Sequence, residues 1–468
     1  MSQMAHNTAA AGSSNVGAAL LVAYLPALVA FVWWLGLVRL VGVVLGCWGV
    51  LVALGGEPGT PSPGPMPPAE VTPHFTFQLQ YSPLGNLQGV TVSQWLELLG
   101  KRWRQVEWQV YWFRILYISC MSLLNSCISS YEWLRFGTAP EQCEINDAPV
   151  FVLGHPRTGT THLHNLLALD SDQFIYPTTF QCTMPNVCVS LDGVKHLVEG
   201  AMPDRRPMDN VKLSFETPQE DELALYPASG GCSPYGPLNF MTDEPSFRPY
   251  FSFESAPAEE RRRWADALLW FMRRVTFCWE RLGASKPRRP DGAAPRRLVM
   301  KSPCHVSRLA LLRQLFPKAQ FVYIHRNPYV VWKSAVNMAE KTYWYFYLAR
   351  PSDAQITDFI LSQYETLFED FQRMKKDVPR EQLVEVSYDA LSKDTLGTLR
   401  GIYSQLRWGD DAWARAKPKL EAYLATQESY AKNKFVPLDE PVRKYVYQRW
   451  KRSFDLYGYS DKQNADDL

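Results

Sequence analysis

Apolar residues along this chain are distributed in several distinct ways. From Val16 to Leu54 they run almost unbroken, and Arg39 is the only charged side chain among them. A helix needs about 20 apolar residues to cross a bilayer, so the stretch predicts one comfortable span, Val16 to Val38, and a shorter apolar piece, Val41 to Leu54. Met1 to Asn15 carries no Lys or Arg, which favours a retained anchor over a cleaved signal. Gly55 to Pro73 is rich in proline and nearly uncharged, the composition of an extended spacer. Between Val92 and Phe136 the pattern changes again. Trp95, Trp103, Trp108, Trp112, Leu116 and Leu124 alternate with Lys101, Arg102, Arg104 and Arg114. Such a segment suits a helix lying in a bilayer interface, and equally a long helix packed on a globular body.

Beyond Pro149 short apolar runs take turns with helical periodicity. Val150 to Leu153, Leu298 to Met300, Phe321 to Ile324 and Leu383 to Val386 read as buried strands. Ala258 to Leu282, Val306 to Phe316 and Pro328 to Met338 read as helices. The alternation predicts an α/β body, a P-loop-like parallel sheet flanked by helices, with the N-terminal membrane-associated helices ahead of it. In such sheets ligands bind off the carboxyl ends of the strands. The first strand runs straight into a glycine-punctuated turn and a helix beginning at Leu163, Leu166 and Leu167. A junction of that kind aims backbone amides and the positive end of a helix dipole at one point, where a phosphate can sit. The spacing Gly154-x4-Gly159 fits a nucleotide-triphosphate loop, but Thr160 stands where that loop requires lysine.

Charge and cysteine content narrow the options without adding a site. A net charge of +2, from 49 basic and 47 acidic residues, does not describe a dedicated nucleic-acid binder. The nine cysteines are scattered with no CxxC pair, so no zinc site or disulfide framework is predicted, and buried free thiols are expected. No N-x-[ST] sequon occurs, and the tail at 460–468 carries no retention or lipidation signal. The basic stretch Lys286 to Arg297 reads as a solvated surface loop.

Three strand-end loops hold the candidate chemistry. In the first, Gly159 permits close backbone approach to an oxyanion, Thr160 and Thr161 add hydroxyls, and Arg157 adds a full positive charge. In the second, Lys301 and His305 could stabilise a leaving group and accept a proton. In the third, Arg326 precedes a proline-opened helix that brings Ser334 eight residues on, so guanidinium and hydroxyl can converge on a second phosphate. Two phosphate sites, with no P-loop lysine and no evident magnesium-binding aspartate after a strand, point away from ATP.

These loops, reading PRTGTTHLHNLL, KSPCH and RNPYVVWKS, resemble those of the sulfotransferases that use 3'-phosphoadenosine 5'-phosphosulfate, in the broad group with arginine in the first loop. The resemblance covers roughly Pro149 to Tyr459. It implies that Arg157, Thr158, Gly159, Thr160 and Thr161 bind the 5'-phosphosulfate and that Arg326 with Ser334 holds the 3'-phosphate. It further implies that Lys301 stabilises the leaving phosphate, that Tyr388 lies near the adenine, and that Lys432 and Lys434 belong to a late loop over the 3'-phosphate. No metal is implied. The general base is His305 or, in the segment ETPQEDE, Glu220.

The expected organisation is a polar start (1–15), a membrane anchor (16–54), a linker (55–73), an interfacial helical segment (92–136), the sulfotransferase body (149–459) and a polar tail (460–468). Anchor and linker would hold the site near a bilayer, in an endomembrane such as the ER or Golgi, on a face the sequence leaves open. The expected acceptor is then a lipid, sterol or other amphiphilic alcohol, with Phe240 to Phe253 lining an apolar cleft. A secretory-pathway glycan or protein acceptor, or an inactive membrane scaffold of the same fold, are the alternatives.

Overall fold

Val150–Leu153 has no polar side chain to offer solvent and forms β1, fully buried on both faces at the centre of the sheet. The computed structural model describes residues 66–76, 85–200, 205–206, 208, 212–282, 294–427 and 437–461. The predicted anchor at 16–54, the linker up to residue 65, and Lys432 and Lys434 lie outside those residues.

In chain order the main elements begin with α1 (Val92–Arg102), which a Thr91–Gln94 capping box starts, and α2 (Trp108–Phe136). β1 leads into α3 (Thr160–Ala168), followed by β2 (Phe174–Ile175), α4 (Glu222–Ala228) and α5 (Ala258–Phe277). Then come β3 (Arg297–Lys301), α6 (Leu309–Leu315), β4 (Gln320–His325), α7 (Pro328–Thr342) and α8 (Asp353–Met374). β5 (Leu383–Ser387), α9 (Thr395–Gln405), α10 (Asp410–Gln427) and α11 (Glu440–Tyr457) complete the body.

The sheet is parallel throughout, in the order β2-β3-β1-β4-β5. Alternation along β1 divides the core. Phe151 and Leu153 pack with Leu268 and Phe271 of α5 and Phe371 of α8, whereas Val150 and Val152 pack with Leu163 and Leu167 of α3 and Leu399 of α9. β1 lies between β3 and β4, so the chain leaves it toward both sides of the sheet. That reversal opens a crevice at the carboxyl ends, where the loops after β1, β3 and β4 meet.

The structure departs from the sequence reading in several places. The linker was expected to run to Pro73, but Ala69–Val71 forms a helical turn and Val71 and Phe75 are buried in the core, because these apolar side chains find a docking site beside α8 and α11. The helix expected over Val306–Phe316 begins as a 3-10 turn, Pro303–Arg308, and continues as α6. At the end of the predicted basic loop, Arg296 is buried against Glu280 and Arg297 opens β3. Of the cysteines in the described residues, Cys182, Cys188, Cys232, Cys278 and Cys304 are buried, while Cys127 is exposed.

The segment 92–136 forms two helices. α2 packs on the body through Tyr111, Ile115, Ile118 and Asn125, and Trp95 of α1 donates to Ser119 Oγ at 2.9 Å. Among the described residues no helix is long and apolar enough to cross a membrane.

Candidate active site

The loop after β1 takes a shape that only certain residues tolerate. Gly159 has φ +99°, and a Cβ there would stand 2.4 Å from the Tyr388 ring. At Gly154 a Cβ would stand 2.6 Å from the Ile324 carbonyl oxygen of β4. Arg157 adopts φ +76°, an unfavourable region for a residue with a side chain, and one often found where function requires it. No side chain caps α3, so its first-turn amides face the crevice with the helix dipole behind them.

Two groups of side chains converge there. In the first, Arg157 Nε donates to Ser334 Oγ at 2.9 Å across the gap between the β1 loop and α7. Arg326 Nη1 reaches the Arg157 carbonyl at 3.4 Å, and its guanidinium stacks 4.0 Å from the centre of the Tyr388 ring. Burial, with the Arg157 charge, holds the Arg326 pKa below its usual value against the opposing effect of Tyr388 and Asp389; the guanidinium stays charged.

In the second group, Lys301 Nζ at the end of β3 donates to Glu220 Oε1 at 2.8 Å and lies 3.5 Å from Thr161 Oγ1. The other Glu220 oxygen accepts from the Tyr235 hydroxyl. Burial would raise the Glu220 pKa, but the Lys301 charge and the hydrogen bonds from Lys301 and Tyr235 hold it below the ordinary carboxylate value. On Lys301 burial wins, and its pKa falls despite Glu220. The charge of Arg206 acts in the same direction on both, favouring the carboxylate and opposing the ammonium.

His305 occupies different surroundings. Its side chain is 0% exposed, wedged edge-on between Phe151 and Trp264, with Nε2 2.9 Å from Asp221 Oδ1. Beside it Arg308 grips Glu222 through two contacts, at 2.6 and 3.1 Å. Asp221, Glu222 and His305 lie close enough together to suggest a metal site, but the Arg308 charge already balances Glu222. The Pro303–Arg308 turn carries this imidazole inward from the strand end, while Lys301, two residues before the turn, stays at the crevice.

Of the residues expected at the site, the structure brings together Arg157, Gly159, Thr161, Lys301, Glu220, Arg326, Ser334 and Tyr388. Thr158 is buried and donates to the His155 carbonyl at 2.8 Å; Thr160 is buried at the start of α3. Phe240, Phe247, Phe251 and Phe253 belong to the main core.

Two participants were not singled out. Tyr235, which holds Glu220, had no motif to mark it. Asp221, next to Glu220 in the segment ETPQEDE, clamps the end of β3: its amide donates to Lys301 O at 3.3 Å, and its carboxylate accepts from Lys301 N at 3.1 Å. That clamp fixes Glu220 next to Lys301. The signal available was its place directly after Glu220.

Comparison with known proteins adds a family. Residues 149–411 match the sulfotransferase family. The chain is 31% identical to the omega-hydroxy-beta-dihydromenaquinone-9 sulfotransferase Stf3 of Mycobacterium bovis over 371 residues, 79% of this chain and 90% of the relative. The protein of that name from Mycobacterium tuberculosis matches to the same extent. Among solved structures, sulfotransferase STF9 from Mycobacterium avium superposes with a TM-score of 0.54 at 14% identity, over 79% of this chain and 93% of the other, a likeness of fold.

Proposed function

From the premise that this chain belongs to the sulfotransferase family and is a sulfotransferase, we propose that it moves a sulfuryl group from 3'-phosphoadenosine 5'-phosphosulfate to the hydroxyl of a lipophilic acceptor at a membrane. The observation that carries this reading is the meeting of Lys301, Glu220 and Thr161 at one end of the crevice and of Arg157, Ser334, Arg326 and Tyr388 at the other.

The residues present suit that donor. An uncapped helix start, a glycine whose missing Cβ leaves space under an aromatic ring, and three cations along one crevice make a site for a nucleotide with two separate anionic ends. Arg157, Thr160, Thr161 and the first amides of α3 would hold the 5'-phosphosulfate. Arg326 and Ser334 would hold the 3'-phosphate, with Thr158 shaping the loop beneath, and Lys432 and Lys434 would close over it. Tyr388 would pack against the adenine. When bound, the donor supplies a sulfuryl group on a phosphate leaving group; no metal is required, because the cations of the chain do the neutralising.

Within this site Lys301 stabilises negative charge on the leaving side, with the water-poor surroundings strengthening its effect. We assign the general base to Glu220. Its carboxylate is partly exposed at the crevice and kept ionised by Lys301 and Tyr235, whereas His305 has no exposed surface.

The acceptor class follows from two supports. The apolar stretch 16–54 would anchor the enzyme in a bilayer, and a relative 31% identical is named for a hydroxylated menaquinone. The anchoring segment suits an endomembrane. Titration calorimetry tests the donor assignment: 3'-phosphoadenosine 5'-phosphate should bind without magnesium, and ATP should not. Preferential binding of ATP would overturn the assignment.

A further inference from the structure

We propose that the outward face of α2 lies in the headgroup region of a phospholipid bilayer, so that the folded body rests on the membrane along this helix. The proposal rests on the membrane reading above and adds to it a surface and a set of residues.

The sequence of α2 holds only three charged residues, Arg114, Glu132 and Arg135. Two of them turn inward. Arg114 donates to the Tyr347 and Trp344 carbonyls, and Glu132 is buried against Arg274. The opposite face, at helical spacing, presents Trp112 (48% exposed), Phe113 (38%), Leu123 (40%), Tyr131 (54%) and Leu134 (75%), with half-buried Leu116 between them. From Trp112 to Leu134 the stripe runs about 33 Å at 1.5 Å per residue. A surface facing only water rarely exposes an apolar patch of that extent.

The stripe has the chemistry of an interfacial helix. Trp and Tyr sit at its ends, and the exposed Arg104 and Arg135 flank it in sequence, where they can reach anionic headgroups. The chain's geometry points the same way. Segment 66–76 docks at the end of α7 and the start of α8: His74 and the Phe75 amide bond to Asp353, and the Thr76 amide bonds to Glu340. α2 starts on the same stretch, with Glu107 accepting from the Arg350 amide at 2.6 Å. Segment 66–76 and the start of α2 therefore both meet the body along one edge, within 340–353.

The test uses the full chain reconstituted in vesicles of phosphatidylcholine and phosphatidylglycerol that contain a photoactivatable phospholipid, followed by peptide mapping. The wild type should be labelled within both 16–54 and 108–136. In Leu123→Glu combined with Leu134→Glu, labelling of 108–136 should fall at least about fivefold while labelling of 16–54 stays unchanged. Turnover of a long-chain alcohol dissolved in the bilayer should fall with it, and turnover of a short water-soluble alcohol should not. Label confined to 16–54 would overturn the proposal and show that the chain itself or a second copy covers the stripe. Label on 108–136 without 16–54 would support the helix and overturn the anchor; label on neither would overturn both.

Discussion

At Glu220 and His305 a choice that the sequence leaves open becomes a matter of backbone direction. Both residues follow from the motifs, and both carry a group able to act as a base. What separates them is the inward turn at Pro303–Arg308, a detail of local geometry that no residue pattern announced. Glu220→Gln should lower kcat by about 100- to 10,000-fold while binding of 3'-phosphoadenosine 5'-phosphate changes by less than about threefold. Free-enzyme pH profiles give an independent check. A base must be deprotonated to act, and Glu220 is held below its ordinary value of 4.5, so kcat/KM should stay level as the pH falls until it is under that value. An acidic limb well above that value would count against Glu220. For Arg326→Ala, calorimetry should show affinity for 3'-phosphoadenosine 5'-phosphate reduced by about 10- to 100-fold, the range expected for a charged hydrogen bond. Adenosine 5'-phosphosulfate, which lacks the 3'-phosphate, should be little affected.

The strand–loop–helix element around β1 was the most legible part of the chain, because a buried strand, glycines of required conformation and a helix start all leave marks in composition. Its packing partners did not. The contact between Gly159 and Tyr388 joins segments more than two hundred residues apart and depends on β5 lying two strands from β1. Gly159→Ala should therefore cost stability of about 1–2 kcal/mol, from the positive φ and the ring beneath, and nucleotide affinity should drop at least about tenfold. The element also carries acid sensitivity. His164 on α3 is pushed down to about 3 by burial and by Lys301, and His155 in the preceding loop is pushed down to about 3 by burial. Unfolding returns each to about 6.5, so between 6.5 and 3 the unfolded chain binds more protons and stability falls as the pH falls. Each histidine contributes up to about 1.4 kcal/mol per pH unit in that window. Urea unfolding of His164→Gln should show a shallower decline below pH 6.5 than the wild type.

For the molecule as a whole, period and length in the apolar runs foretold an α/β body with its site at strand ends, and four of the five strands fell where short apolar runs stood. β2, only two residues long, was too brief to register. The later helices, α8 to α11, which pack on both faces of the sheet, also escaped notice, since their burial is shared among partners distant in sequence. At this scale the two readings the sequence allows for segment 92–136, interfacial or packed, have a physical origin: α2 is apolar on both faces, and periodicity cannot tell a face buried in protein from one meant for lipid. The central claim joins all three scales, a sulfotransferase that works on a lipophilic hydroxyl. It is tested most directly by incubating the membrane-reconstituted full chain with sulfur-35-labelled 3'-phosphoadenosine 5'-phosphosulfate and extracted lipids or, separately, glycans. Label should pass into a lipid fraction without added magnesium, and Glu220→Gln should abolish the transfer. Label appearing in glycans alone, or in lipids equally with Glu220→Gln, would contradict the account.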